Sequence, residues 1–122
     1  MGIRTPQYPK LELSEEFVKK LDHKEVPEKV RLKVLEALLA LNTHGTNKEY
    51  LKPDVEKTHR KKILEMKFKG PAKTEWRILF QKITTDQRDA NYGIMTFFLK
   101  KTQKLRKQDL DAAERIAERE GW

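Results

Sequence analysis

Between residues 63 and 83 the chain twice alternates apolar and polar side chains with a period near two. Leu64, Met66 and Phe68 interleave with Glu65, Lys67 and Lys69, and Trp76, Ile78 and Phe80 interleave with Arg77, Leu79 and Gln81. That period sends successive side chains to opposite faces of a strand. Two such strands joined by the turn-forming Gly70-Pro71 are expected to pair antiparallel, with one apolar and one polar face. A third run, 92–99, is apolar almost throughout and reads as a central strand. An apolar sheet face needs a cover.

The preceding sequence supplies one. Ser14 followed by Glu15 and Glu16 is a helix start, a capping hydroxyl and then acids in the first turn. Phe17, Val18 and Leu21 form the apolar side of a short helix ending near Asp22. Pro27, at a first helical position, opens a longer helix closed by Gly45. Its Val30, Val34, Leu38 and Leu41 recur at three- and four-residue steps, and Leu35 and Leu39 widen the stripe. This 27–43 helix is expected to cover the sheet. Residues 1–10, with Pro6 and Pro9, read as a flexible arm, and Leu11 and Leu13 as a short edge strand. Residues 42–62 are polar and read as irregular, and the linker 85–90 is turn-like. A last helix spans about 107–120, with Leu110, Ala113, Ile116 and Ala117 on its apolar side. The fold expected is α+β: a small, mainly antiparallel sheet, two N-terminal helices on one face and a C-terminal helix, in a single domain over residues 1–122.

Charge narrows the partners. Residues 1–56 hold ten Lys/Arg and ten Asp/Glu, whereas 57–107 hold fifteen against four, and 108–122 two against five. The whole formal charge of +8 therefore arises from the middle of the chain. A field of that size favours a polyanion. A solvated, merely polar sheet face is the bland alternative. No cysteine is present, which excludes disulfides, thiol nucleophiles and thiolate metal sites. No apolar run approaches the roughly 20 residues that span a bilayer. With no signal-peptide pattern at the start, a cytoplasmic protein with no membrane partner is expected.

The candidate chemistry lies on the polar face. Glu65, Lys67, Lys69 and Arg77 share it, and Lys100, Lys101 and Lys104 arrive at its edge. Phosphate loops, nucleophile elbows and triads are absent from the sequence. His23, His44 and His59 are far apart and no acidic cluster has metal-ligand spacing, so no metal or other cofactor is expected. His59 stands out only because it lies in the basic run Lys57–Lys62.

Leu64-Glu65-Met66-Lys67, Trp76-Arg77-Ile78 and Phe98-Leu99-Lys100-Lys101-Thr102-Gln103-Lys104, followed by a final helix, resemble the HigB branch of the RelE/ParE toxin superfamily. The likeness runs from about Ser14 to Glu120. Leu105-Arg106 departs from the Thr-Pro usual after the basic run. The resemblance implies a RelE-like fold and a toxin that cleaves mRNA on the ribosome. It also implies a cognate antitoxin, often a helix-turn-helix protein of the HigA type.

In that chemistry the ribose 2′-hydroxyl attacks its own 3′-phosphate, which calls for a base, cations and an acid. Arg77 suits phosphoryl stabilisation because its planar fork matches two phosphate oxygens. Lys67 matches a functional basic position of the family's first sheet strand. Glu65 serves as base or pairs with Arg77. Lys100, Lys101 and Lys104 hold the RNA backbone or donate a proton, and Lys69, Arg106, His59, Arg60 and Lys61 extend the RNA-binding surface. Two other readings remain open from sequence: a gyrase inhibitor like the ParE branch, and a non-catalytic RNA-binding module.

Overall fold

The computed structural model describes residues 2–46, 54–83, 91–100 and 106–122. In chain order it runs β1 (Leu11–Leu13), α1 (Glu15–Leu21), α2 (Glu28–His44), β2 (Asp54–Lys57), β3 (Ile63–Lys69), a 3-10 turn (Pro71–Lys73), β4 (Glu75–Lys82), β5 (Tyr92–Leu99) and α3 (Lys107–Glu120). The strands form one sheet in the order β1-β5-β4-β3-β2. β1 is parallel to β5 and the remaining neighbours are antiparallel. The α+β architecture and the three strands read over 63–69, 75–83 and 92–99 are as expected.

Each element has a local cause. Ser14 accepts a hydrogen bond from the Phe17 amide at 3.0 Å, which caps α1. The same hydroxyl donates to the Met95 carbonyl at 2.5 Å, and the Ser14 amide donates to the Ile94 carbonyl at 3.0 Å. One buried residue thus ends β1, starts α1 and ties both to β5. Pro27 stands at the N-cap rather than the first helical turn of α2, a one-residue difference from expectation. Ala72 and Lys73 take positive φ values of 56° and 60° in the β3–β4 connection, as primed hairpin turns require.

The main core lies between the sheet and the first two helices. Phe17 of α1 and Val30, Val34, Ala37, Leu38 and Leu41 of α2 pack against Met66, Phe68, Trp76, Ile78, Phe80, Ile94 and Phe97. Phe17 and Phe97 meet edge-on at 5.4 Å between ring centres. Leu39, expected to widen the α2 stripe, instead points outward and is 55% exposed, as is Leu32 at 51%. Leu35 is half-buried against the core.

Three features differ from the sequence reading. Within 42–62, β2 pairs with β3, with Glu56 opposite Glu65 and Val55 opposite Met66. Its single apolar residue left no alternation to read; β3 supplies its hydrogen bonds. Residues 2–10 do not stand free as an arm: Ile3 bridges Leu13 and Tyr8 joins the core. Finally, α3 lies on the face read as polar. Leu110, Ala113, Ile116 and Ala117 cover Ile63, Leu79 and Met95 in a second, smaller core. A bulge near Leu79 and Phe80 breaks the β4–β5 register. It lets β5 send Ile94 and Phe97 to the main core and Met95 to the second.

Leu38 is fully buried in the helix–sheet core. Leu38→Ala is therefore expected to cost about 2–5 kcal/mol, read by denaturant unfolding. A loss under 1 kcal/mol is far below that range and would show that α2 is not the principal cover.

Candidate active site on the sheet

The apolar side of α3 packs on Ile63, Leu79 and Met95, and the polar face continues at the end of β3 and the start of β4. Lys67 stands opposite Arg77 and Lys69 opposite Glu75 across the β3–β4 pair. Lys100 follows β5, and its amide donates to the Glu75 carbonyl at 2.8 Å. The sheet register thus brings together Glu65, Lys67, Lys69, Arg77 and Lys100, five of the residues singled out in the sequence.

Glu65 and Arg77 form the buried floor, with 7% and 4% of their surfaces exposed. Arg77 Nε lies 3.7 Å from Glu65 Oε2, an ion-pair distance beyond hydrogen-bonding range. Neither atom has a hydrogen-bond partner among the described residues. The rest of the guanidinium is occupied: Nη1 donates to the Trp76 carbonyl at 3.1 Å and Nη2 to Glu75 Oε2 at 3.3 Å. Arg77 is therefore held by protein acceptors in this structure rather than presenting an open fork.

The carboxylates of the cluster titrate in opposite directions. Burial pushes Glu65 above the usual carboxylate range and outweighs the opposing pull of Arg77, Lys67 and Lys100. Arg77 beside Glu75 is the leading cause holding that carboxyl below the usual range. Glu56 is also lowered, chiefly by its hydrogen bond with Lys67, whose Nζ lies 2.5 Å from Oε2. Lys69 approaches Glu75 at 3.7 Å but stays largely exposed. Chemically, the arrangement is a buried carboxyl of raised pKa among cations, with two ionised carboxylates at the rim.

Glu56 and Glu75 are members the sequence reading missed. Glu75 has the same strand parity as Arg77, which was a usable signal. Glu56 had none, because β2 itself was not legible.

The remaining candidates lie elsewhere. Arg60 reaches across to α3, at 2.7 Å from Asp111 and 3.0 Å from Glu114, and those two bonds raise its pKa. It fastens α3 rather than extending the cluster. His59 and Lys61 are exposed in the β2–β3 turn. Arg106 is exposed at the N-cap of α3, 3.6 Å from Asp109. Lys101 and Lys104 lie outside the described residues. Among the described residues no group of three or more metal-ligating side chains is assembled, and no helix is long and apolar enough to cross a membrane.

A family model described as "Phage derived protein Gp49-like (DUF891)" matches residues 16–118, a span that contains every member of the cluster. No curated protein and no solved structure matches the chain.

The raised Glu65 pKa has a signed consequence for stability. A carboxyl whose folded pKa exceeds its unfolded one favours folding when protonated; that contribution is complete below the ordinary carboxylate range and lost as pH rises through the raised value. Relative to Glu65→Gln, the wild type should therefore be at its best near pH 4 and lose ground toward neutrality, read as melting temperature against pH. Parallel pH curves for the two proteins would show that Glu65 titrates normally.

Proposed function

The chain belongs to the Gp49-like family of phage-derived proteins, a toxin-type family in the RelE/ParE-like superfamily, and from that premise we propose a HigB-type mRNA endoribonuclease that acts on the ribosome. Membership implies a cognate antitoxin, for which we propose a HigA-like helix-turn-helix protein. The observation that carries the catalytic reading is the buried Glu65 carboxyl, raised in pKa and surrounded by Arg77, Lys67 and Lys100. Perturbed carboxyls of this kind concentrate where protons are moved.

In the proposed reaction the 2′-oxygen of one nucleotide forms a bond to the adjacent phosphorus while the bond from phosphorus to the 5′-oxygen breaks. Glu65, in its ionised form, takes the 2′-hydroxyl proton, and its raised pKa makes it a better base than an ordinary surface carboxylate. Oε2 is enclosed beside Arg77, which leaves Oε1 to take that proton. Lys67 and Lys100, both half-exposed, meet the charge that grows on the phosphoryl oxygens, and Lys100 protonates the leaving 5′-oxygen. The products are a 2′,3′-cyclic phosphate and a free 5′-hydroxyl.

Arg77 has a double part. Its charge faces Glu65 across 3.7 Å from Nε, and its Nη2 reaches phosphate only by releasing Glu75, which is 48% exposed. The ribosome then supplies what the free protein lacks, an mRNA held in line for attack.

Arg77→Ala should lower cleavage on translating ribosomes by at least about 10²-fold, the scale for loss of one transition-state donor. Because removing a buried partner also destabilises, Arg77→Lys and thermal melting are read beside it. A positioning role adds a signature. With the guanidinium gone, Glu65 loses its strongest cationic neighbour, so the acidic limb of the rate–pH profile should move upward. A folded Arg77 variant with wild-type cleavage and an unmoved profile would remove it from the site. Wild-type protein that cuts no mRNA on ribosomes would overturn the ribonuclease reading.

Affinity for RNA should fall steeply with salt. Replacing Lys100, Lys101 and Lys104 together by Ala should reduce the slope of log K against log salt by about 2, at roughly 0.7 per phosphate contact on single strands. An unchanged slope would make these lysines a solvated rim.

A further inference from the structure

The helix α3 divides the polar sheet face, and a second concavity lies on the side away from Glu75 and Arg77. It has a volume of about 310 Å³. Gln81 is on its floor, only 6% exposed, paired in register with Ile63 and with Gly93. No side-chain hydrogen bond from another described residue occupies its amide, so one donor group and one acceptor remain for a ligand.

Trp122 forms a wall of the cavity, and its indole is fixed rather than loose. Its backbone amide donates to the Ala117 carbonyl at 2.9 Å, and Nε1 donates to Glu12 at 3.0 Å. The ring lies so close over Gly93 that any Cβ there would collide with it. Lys61 and Lys62 stand exposed at the rim, with no ion pair among the described residues. Arg60, also on the rim, is already matched by Asp111 and Glu114. Among the described residues the other acid lining the cavity is the exposed Glu118, which sets the side from which an anionic chain would keep away.

An immobilised aromatic plane, a buried amide with unfilled donor and acceptor, and free rim cations match one chemical class: an unpaired nucleobase with its phosphates. Single-stranded RNA is held by stacking on aromatic rings, amide contacts to base edges and cationic contacts to the backbone. We propose that this cavity is a nucleobase subsite for the RNA strand whose cleavage is proposed above, with Trp122 stacking the base, Gln81 reading its edge, and Lys61 and Lys62 holding the adjoining phosphates. The assignment rests on the ribonuclease reading, but it makes its own claim, because Gln81 and Arg77 are four residues apart on β4, about 13 Å along a strand.

The chain has two tryptophans. In a Trp76→Phe background Trp122 is the sole indole, so its emission reports on the cavity. Titration with short single-stranded oligoribonucleotides, each of a single base, should quench Trp122 saturably. Gln81→Leu should alter the ranking of the four bases. Lys61→Ala with Lys62→Ala should flatten the salt dependence, and Trp122→Leu should weaken binding at least about fivefold. Far-ultraviolet circular dichroism and melting confirm that each variant is folded. The Gln81 and lysine variants keep the test intact if Trp122→Leu does not fold.

RNA binding that leaves Trp122 emission unchanged, or a base ranking unmoved by Gln81→Leu, would overturn the subsite. Quenching by an acidic peptide but not by RNA would also overturn it, and would assign the cavity to a protein partner. Ribosomal cleavage by the wild type separates the two claims. Cleavage with a silent Trp122 removes the subsite alone, whereas quenching by RNA without cleavage supports the subsite and removes the ribonuclease.

Discussion

The double burial of β5 is the constraint on which the rest of the structure depends. Its Ile94 and Phe97 serve the core under α1 and α2, while Met95 serves the core under α3. A regular strand could not place residues 94 and 97 on one face, three positions apart; the bulge makes it possible. β5 also pairs with β1 on one side and β4 on the other. Ser14 closes the joint by bonding to the carbonyls of Ile94 and Met95, so α1 begins where β1 stops. Loss of the bulge would force a choice between the two cores.

The second core decides the chemistry available. α3 removes the middle of the polar face from water and leaves the Glu65–Arg77 floor at its margin. Burying a charge pair there is costly unless geometry and further bonds compensate. Arg77 finds them in Trp76 and Glu75, but Glu65 Oε2 does not, and its pKa rises accordingly. A carboxylate oxygen and a guanidinium Nε that face each other without a hydrogen bond are a poor way to stabilise a fold. The pairing is a reasonable way to hold a proton acceptor whose pKa burial has raised.

Electrostatics at the scale of the chain and at the scale of the site tell different stories. The strongly basic band at 57–107 is a property of linear order. Folding brings carboxylates to it from outside: Glu56 to Lys67, and Asp111 and Glu114 to Arg60. Among the described residues, Lys100, Lys61 and Lys62 keep no ion pair, whereas Lys67 and Arg60 are matched.

Period-two alternation in 63–69 and 75–83 was enough to establish two strands, their pairing and which residues would face the α1–α2 core, because a strand has only two faces. The same parity grouped Glu65, Lys67 and Arg77, and the three- and four-residue steps of Val30 to Leu41 identified the covering helix. Capping at Ser14 marked the start of α1 to the residue. These are short-range consequences of backbone geometry. Three things were decided only by tertiary structure: that α3 rather than solvent covers Leu79, that Asp54–Lys57 is a strand, and that Arg77's fork is filled by Glu75 and the Trp76 carbonyl. Each depends on a partner distant in sequence or on which of several acceptors wins in three dimensions, and no local pattern encodes that choice. Parity could place Glu75 beside Arg77, but only burial could turn Glu65 into a carboxyl of altered pKa.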